Sequence, residues 1–193
     1  MLVDFLLVSI IIGLVRRGSL NDLANMPFKK IEGIFLSFAI RYIPLVLRGE
    51  LYEIAVLYHP FIVATSYILL LYVLFLNWHI KPLRLVALGV FLNFLVIIAN
   101  GGKMPVSVPT AEAVGLYEFI PLLSDADYLY HTAVSGTTSF KYLGDIIPLP
   151  PPYPKPRVFS IGDLAMGIGV FFTLQEGMLK KTSSGDKNLY RYR

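Results

Sequence analysis

The sequence predicts an all-α fold, a polytopic membrane bundle of about five transmembrane helices with an external proline-rich cap. Of its 193 residues, 55% are hydrophobic and 16% are charged, and the mean hydropathy is +0.64. Soluble domains contain about 25% charged residues. The apolar residues form long runs with almost no charge, and Lys and Arg are divided unevenly between the loops. We therefore expect an integral membrane protein rather than a soluble enzyme, a disordered chain or a fibrous repeat.

Five apolar segments are the expected spans of a single membrane domain covering residues 1–193. They lie at residues 2–15, 31–47, 57–77, 85–99 and 159–178. A hydrocarbon core needs about 20 helical residues, so the third and fifth segments suffice, while the second and fourth need flanking residues. The first segment is short and contains Asp4. Arg16 and Arg17 follow it instead of preceding it, which disfavours a cleaved signal peptide.

The basic residues predict an orientation in the membrane. Eleven of the 17 Lys and Arg fall in the segments 16–30, 78–84 and 179–193, whereas five are spread over the remaining loops. The positive-inside rule then places the N-terminus outside and the tail 179–193 in the cytoplasm. The net charge of +4 is thus explained by topology, and we expect the lipid bilayer, not nucleic acid, as the partner.

The segment 100–158 is expected outside, as a partly ordered cap. Within it, Thr110–Ser124 is predicted to form an apolar helix lying on the membrane, capped by Thr110. Pro148–Pro156 is predicted to form a stiff polyproline-like segment, which we call the strap. It is either a plain linker or a spacer that holds the two flanking sequences at a fixed separation. In the last span, the small residues Gly162, Gly167 and Gly169 predict close helix packing.

Two Gly-Asp phrases flank the proline strap, and they contain Asp145 and Asp163. An acid in the first turn of a helix is an ordinary cap, which is one interpretation of Asp163. Asp145 can equally be interpreted as an ordinary carboxylate in a loop. If the strap turns back, however, the two carboxyl groups could share a proton and act as acid and base on a water. They are therefore the candidate catalytic pair.

Four further residues are candidate supporting groups, namely Asn100, Arg41, Ser160 and His131. Asn100, with the glycines after it, is either a helix stop or a polar turn facing the Asp pair. Arg41 lies inside the second span and either extends to the interface or pairs with Asp4, Asp145 or Asp163. His131 is either a solvated loop residue or a proton carrier.

Cofactor and metal chemistry is not expected. The chain has no cysteine, which excludes disulfides and thiolate ligands. Its three histidines, His59, His79 and His131, are too scattered to predict a zinc site. We therefore assign no cofactor and no metal-binding residue.

The stretch from Leu143 to Gly169 resembles the catalytic region of signal peptidase II, the lipoprotein signal peptidase, an intramembrane aspartyl protease. The phrases Leu143–Ile146 and Phe159–Gly169 carry this resemblance, and each contains one Asp. It implies that Asp145 and Asp163 are catalytic, while Ser160 stands where that family has Asn. That family's polar phrase before the first Asp is missing here, and it has four spans rather than five.

The whole chain also resembles a family of uncharacterised bacterial multi-pass membrane proteins, a domain of unknown function. The phrases that carry this resemblance are Asn100–Val106, His131–Thr137 and Leu143–Pro154 running into Phe159–Asp163. It implies the bacterial cytoplasmic membrane as the location and supplies no activity.

Two functions remain open from the sequence. A non-catalytic assembly or partner-binding component is favoured, because every residue then has an ordinary role. The alternative is a membrane aspartyl hydrolase or peptidase that uses Asp145 and Asp163 on a membrane-anchored peptide or lipid-linked substrate. A small-molecule or ion carrier is less favoured, because Arg41 and Asn93 are the only strongly polar side chains expected inside the spans. Two such residues are few for a transport pathway.

Overall fold

The computed structural model describes residues 2–125 and 127–179, which are mostly helical. The helices in chain order are α1 (Leu2–Val15), α2 (Leu20–Ala24), α3 (Glu32–Tyr42), α4 (Glu50–Leu57), α5 (His59–Leu76), α6 (Leu83–Ala99), α7 (Val108–Ala113) and α8 (Ile161–Leu179). Short 3-10 turns follow at Ile43–Leu45, Pro121–Ser124 and Lys141–Leu143. The strands are β1 (Met104–Val106), β2 (His131–Ala133), β3 (Ile147–Leu149) and β4 (Arg157–Phe159).

The long helices pack in the series α3, α5, α6, α8 and α1. Helices α6 and α8 are antiparallel, since Gly89 approaches Gly162 and Val86 approaches Gly169. Helices α1 and α8 run parallel, because Phe5 packs on Gly167 and Ser9 donates a hydrogen bond to the carbonyl of Phe171 at 2.8 Å. The predicted close helix packing at Gly162, Gly167 and Gly169 is confirmed for α8.

Within the described residues, one helix, His59–Leu76, is long and apolar enough to cross a membrane by length and composition. Leu2–Val15 and Leu83–Ala99 are shorter apolar helices. The second expected span ends early, because α3 gives way to a 3-10 turn at Pro44. Pro60 separates α5 from α4 in the same way, since proline removes an N–H and clashes with the preceding turn.

The cap, residues 100–158, contains two small sheets, so the expectation of an all-α chain is incomplete. Strands β1 and β2 pair in parallel, and β3 and β4 pair antiparallel. The strap begins as strand β3, which corrects its interpretation as polyproline throughout. This is compatible with proline because a two-stranded sheet has only edge strands.

The prediction of a surface helix over Thr110–Ser124 is wrong. Helix α7 spans only Val108–Ala113, and its cap is Ser107, whose Oγ accepts from the N–H of Thr110 at 3.4 Å. The backbone turns at Gly115, where φ is +81°, and only a 3-10 turn follows. A positive φ is a conformation that glycine adopts readily and that ends a helix.

The end of the bundle opposite the cap is closed by short loops. Asn77 is buried there and clamps the backbone of Lys29: its Oδ1 accepts from the Lys29 N–H at 2.7 Å, and its Nδ2 donates to the Lys29 carbonyl at 2.8 Å. The N–H of Ser19 donates to the carbonyl of Met178 at 2.8 Å. The basic loop segments 16–30 and 78–84 therefore gather at one end.

Candidate functional site

Asp145 is held in place by its backbone on the free side of β1. Its N–H donates to the carbonyl of Pro105 at 2.8 Å, and its carbonyl accepts from the N–H of Ser107 at 3.0 Å. Gly144 precedes it because a Cβ there would lie 2.6 Å from the Pro105 oxygen. The glycine of the first Gly-Asp phrase is thus required by a close backbone approach.

The carboxyl group of Asp145 is buried and only partly satisfied. The residue is 8% exposed, and among the described residues its Oδ1 has no hydrogen-bond partner. Burial raises the pKa of this carboxyl well above its usual range, and the negative charge of Asp163 raises it further. A buried carboxyl without donors holds its proton more tightly than one in water. Asp145 therefore releases its proton less readily than a carboxyl group in water.

His131, on the other side of β1, faces Asp145. Its Nε2 lies 3.9 Å from Asp145 Oδ2, which is too long for a direct hydrogen bond. Its Nδ1 lies 3.1 Å from the hydroxyl of Tyr128, and the two rings stack. Burial and the positive charge of Arg41 lower the pKa of His131 to about 4, so it is neutral near pH 7. His131 thus lies in strand β2, with its side chain 32% exposed and stacked on Tyr128, which differs from an isolated loop residue.

Asp163 caps α8 and joins it to α6. Ser160 is fully buried before the helix; its Oγ accepts from the Asp163 N–H at 2.9 Å, and Asp163 Oδ2 accepts from the Ser160 N–H at 3.4 Å. This is a reciprocal capping box. Asn93 donates to Asp163 Oδ1 at 2.8 Å and accepts from Ser160 Oγ at 2.8 Å. Both carboxylate oxygens of Asp163 thus have donors.

Arg41 lies near the candidate site but pairs differently from the expectation. Its guanidinium contacts His59 Nε2 at 3.4 Å and lies 5.2 Å from the centre of the Tyr130 ring. Within the part of the chain that the structure describes, no ion pair joins Arg41 to a carboxylate. Its charge nevertheless acts on His131 and on Tyr67, so it contributes positive potential to the interior.

Asn100 ends α6 instead of facing the Asp pair. Its Nδ2 donates to the carbonyls of Val96 at 2.7 Å and Ser139 at 2.9 Å, and its Oδ1 accepts from the Ser139 N–H at 3.0 Å. Gly101 and Gly102 follow with φ of +69° and +87°. The interpretation as a helix stop is confirmed, and the interpretation as a turn facing the Asp pair is wrong, because the side chain fastens the cap to α6.

Sequence reasoning did not assign Asn93, Tyr128 and Tyr67 to the site. Asn93 is a polar residue in an apolar helix, and Ser160 stands three residues before Asp163, so these two signals were readable from the sequence. The hydroxyl of Tyr67 is within electrostatic range of Asp145 and Asp163. The position of Tyr67 near these acids depends on how the chain folds, and no sequence pattern indicates it.

The fold and this site define a mostly helical protein with two acids. Asp163 is half-buried and caps the start of α8, and Asp145 is buried with one oxygen that has no hydrogen-bond partner among the described residues. The chain belongs to the family of unknown function DUF5317, whose pattern matches residues 25–175. This region includes every candidate site residue named from the sequence.

An uncharacterised protein of Thermotoga maritima is similar to this chain. The two are 26% identical over 171 residues, which cover 89% of this chain and 88% of that protein. No solved structure matches. The comparisons thus support the resemblance to a family of unknown function and give no support to the resemblance to signal peptidase II.

Proposed function

We propose that the protein is a multi-pass protein of the bacterial cytoplasmic membrane and that it works there as a non-catalytic assembly or partner-binding component. The observation that carries the proposal is an exterior that is apolar over several helices. Exposed fractions are 60% for Ile11 in α1, 70% for Phe35 in α3, 57% for Ile68 in α5 and 53% for Phe172 in α8. Soluble monomers rarely expose contiguous apolar patches of such extent.

The interior supports the same proposal, because polar side chains point inward. Ser9 in α1 and Gln175 in α8 are buried, and Gln175 Nε2 donates to Ser9 Oγ at 3.1 Å. Hydrogen bonds of this kind and small residues at contacts are typical of helix association in lipid. The gathering of the basic loops opposite the cap agrees with a cytoplasmic face at that end.

The non-catalytic role is supported by the bonding of Asp163. A catalytic carboxylate must be free to exchange a proton with substrate or water. The two oxygens of Asp163 instead hold Asn93 and the Ser160 N–H, and this arrangement fixes the start of α8. The presence of Asp163 is thus explained by a structural role, which is to stabilise the packing of α8 against α6.

A membrane aspartyl hydrolase is the second candidate, and one observation favours it. Burial and, after it, the negative charge of Asp163 both raise the pKa of Asp145. In the acid pairs of aspartic proteases, the charge of one carboxylate likewise raises the pKa of the other. In this scheme Asp145 would act as the acid and Asp163 as the base.

Asp145→Asn and Asp163→Asn separate the two candidates. Each variant replaces the chromosomal copy, and its growth is compared with wild type and with the deletion strain under a membrane stress chosen because it slows growth of the deletion strain. We expect both variants to support growth at close to the wild-type rate. Asp127→Asn, in an exposed loop of the cap, is the matched control.

The hydrolase requires a different result. Loss of one catalytic carboxyl lowers turnover by about 100-fold or more. If both variants accumulate in the membrane at the wild-type level and still behave like the deletion strain, the non-catalytic proposal is overturned.

A further inference from the structure

A cavity of about 290 Å³ lies in the cap beside Asp145. Its walls are mostly apolar and include Val106, Leu116, Phe119 and Val158. Ligand sites begin at about 300 Å³ and combine apolar walls with a few polar groups. The volume and the walls therefore suit a small organic molecule.

Asp145 supplies unused hydrogen-bonding capacity at this cavity. It lines the cavity, is only 8% exposed, and has no donor to Oδ1 among the described residues. A buried polar atom without a partner costs free energy in the empty protein. A ligand that donates to the carboxyl group would recover part of that cost.

The charges around the cavity favour a cationic ligand. His131 is neutral, and Asp163 adds negative potential from α8. Arg157 also lines the cavity, but its guanidinium lies 3.3 Å from Asp4 Oδ2 and over the ring of Tyr153, so its charge is compensated. An anionic ligand would be disfavoured by the negative potential of Asp163 and would keep Asp145 protonated, whereas a cation would be favoured by both groups.

We propose that this cavity binds a small organic cation, a primary ammonium group on an apolar body, with the carboxylate of Asp145 accepting its hydrogen bonds. The ring of Phe119 lines the same cavity and offers a cation–π contact. The proposal concerns the cap alone, so it stands or falls separately from the membrane topology and from the choice between catalytic and non-catalytic roles.

Binding exchanges the cation for a proton. The ammonium group remains protonated and favours the ionised form of Asp145, whose pKa is raised by burial, and a proton that the carboxyl loses goes to solvent. The groups that bias this exchange are His131 from β2, Asp163 from α8, Arg157 from β4, the more distant Arg41 of α3 and Tyr67 of α5. Affinity is therefore expected to rise with pH as the proton becomes easier to release.

The test is calorimetry on the purified full chain in detergent, with phenethylamine as the probe and with 2-phenylethanol and phenylacetate as the neutral and anionic counterparts. We expect the amine to bind most tightly and to release a proton, which is read from the binding heat in buffers of different ionisation enthalpy. Asp145→Asn should weaken the amine by about tenfold or more. Asp127→Asn should not.

A second variant tests the same cavity without changing Asp145. Phe119→Leu retains an apolar wall and should weaken the amine by about threefold while leaving the alcohol unchanged. The proposal is overturned if the alcohol or phenylacetate binds as tightly as the amine. It is also overturned if no probe binds at millimolar concentration, or if Asp145→Asn binds the amine as well as the wild type does.

Discussion

Gly89→Ala should lower the melting temperature of the detergent-solubilised protein by about 5 °C, corresponding to about 2 kcal/mol. Gly89 in α6 touches the backbone of α8: an added Cβ would lie 2.7 Å from the N atom of Met166 and would clash with the carbonyl oxygen of Gly162. Backbone atoms cannot rotate away as a side chain can. The two helices must therefore separate, which also loosens the hydrogen bonds that join Asn93 to Asp163 and to Ser160.

Gly136→Ala is the matched control for this prediction. Gly136 lies in the cap with nothing within 4 Å of an added Cβ, so we expect a change of less than about 0.5 kcal/mol. Intrinsic fluorescence during heating gives both melting temperatures. Equal melting temperatures for the two variants would contradict the close packing of α6 on α8.

Asn93→Leu is expected to be more damaging, by about 3 kcal/mol or about 8 °C. The substitution preserves approximate size but removes the donor to Asp163 Oδ1 and the acceptor for Ser160 Oγ. Both groups then remain near the protein interior with one hydrogen bond fewer. An unsatisfied buried group costs about 1–3 kcal/mol, and a charged one costs more.

The double variant Asn93→Leu/Asp163→Leu tests the pairing itself. Because the two side chains contact each other, the free energy of unfolding should fall less in the double variant than the sum of the losses in the single variants. The difference should be about 1 kcal/mol or more. Asn21→Leu, at an exposed position of α2, is the control for adding leucine. Additive effects, or a cost for Asn93→Leu no larger than that of Asn21→Leu, would refute the assigned role of Asn93.

Most of the helices were predictable from the sequence, because long apolar runs have few alternatives to helix. The runs at residues 2–15, 85–99 and 159–178 correspond closely to α1, α6 and α8. The breaks before α5 and after α3 were also readable, since Pro60 and Pro44 stand at them. The sheets of the cap were not, because strands of three residues carry no periodicity and pair over long sequence separations.

The candidate site was only half predictable. The two Gly-Asp phrases identified Asp145 and Asp163, and the structure adds that each glycine permits a close approach, Gly144 to Pro105 and Gly162 to Asn93. The partners of the acids lie far away in sequence, as Asn93 does from Asp163. Such pairings depend on how helices pack, which no local pattern encodes.

The central claim, a multi-pass chain with its cap outside, is tested most directly by single-cysteine labelling in intact cells. The chain has no cysteine, so Lys81→Cys and Glu118→Cys, both at exposed positions, each give one reactive site. We predict that a membrane-impermeant maleimide labels the Glu118→Cys variant in intact cells and labels the Lys81→Cys variant only after the membrane is permeabilised. Labelling of the Lys81→Cys variant in intact cells, or recovery of the protein in the soluble fraction, would contradict the account.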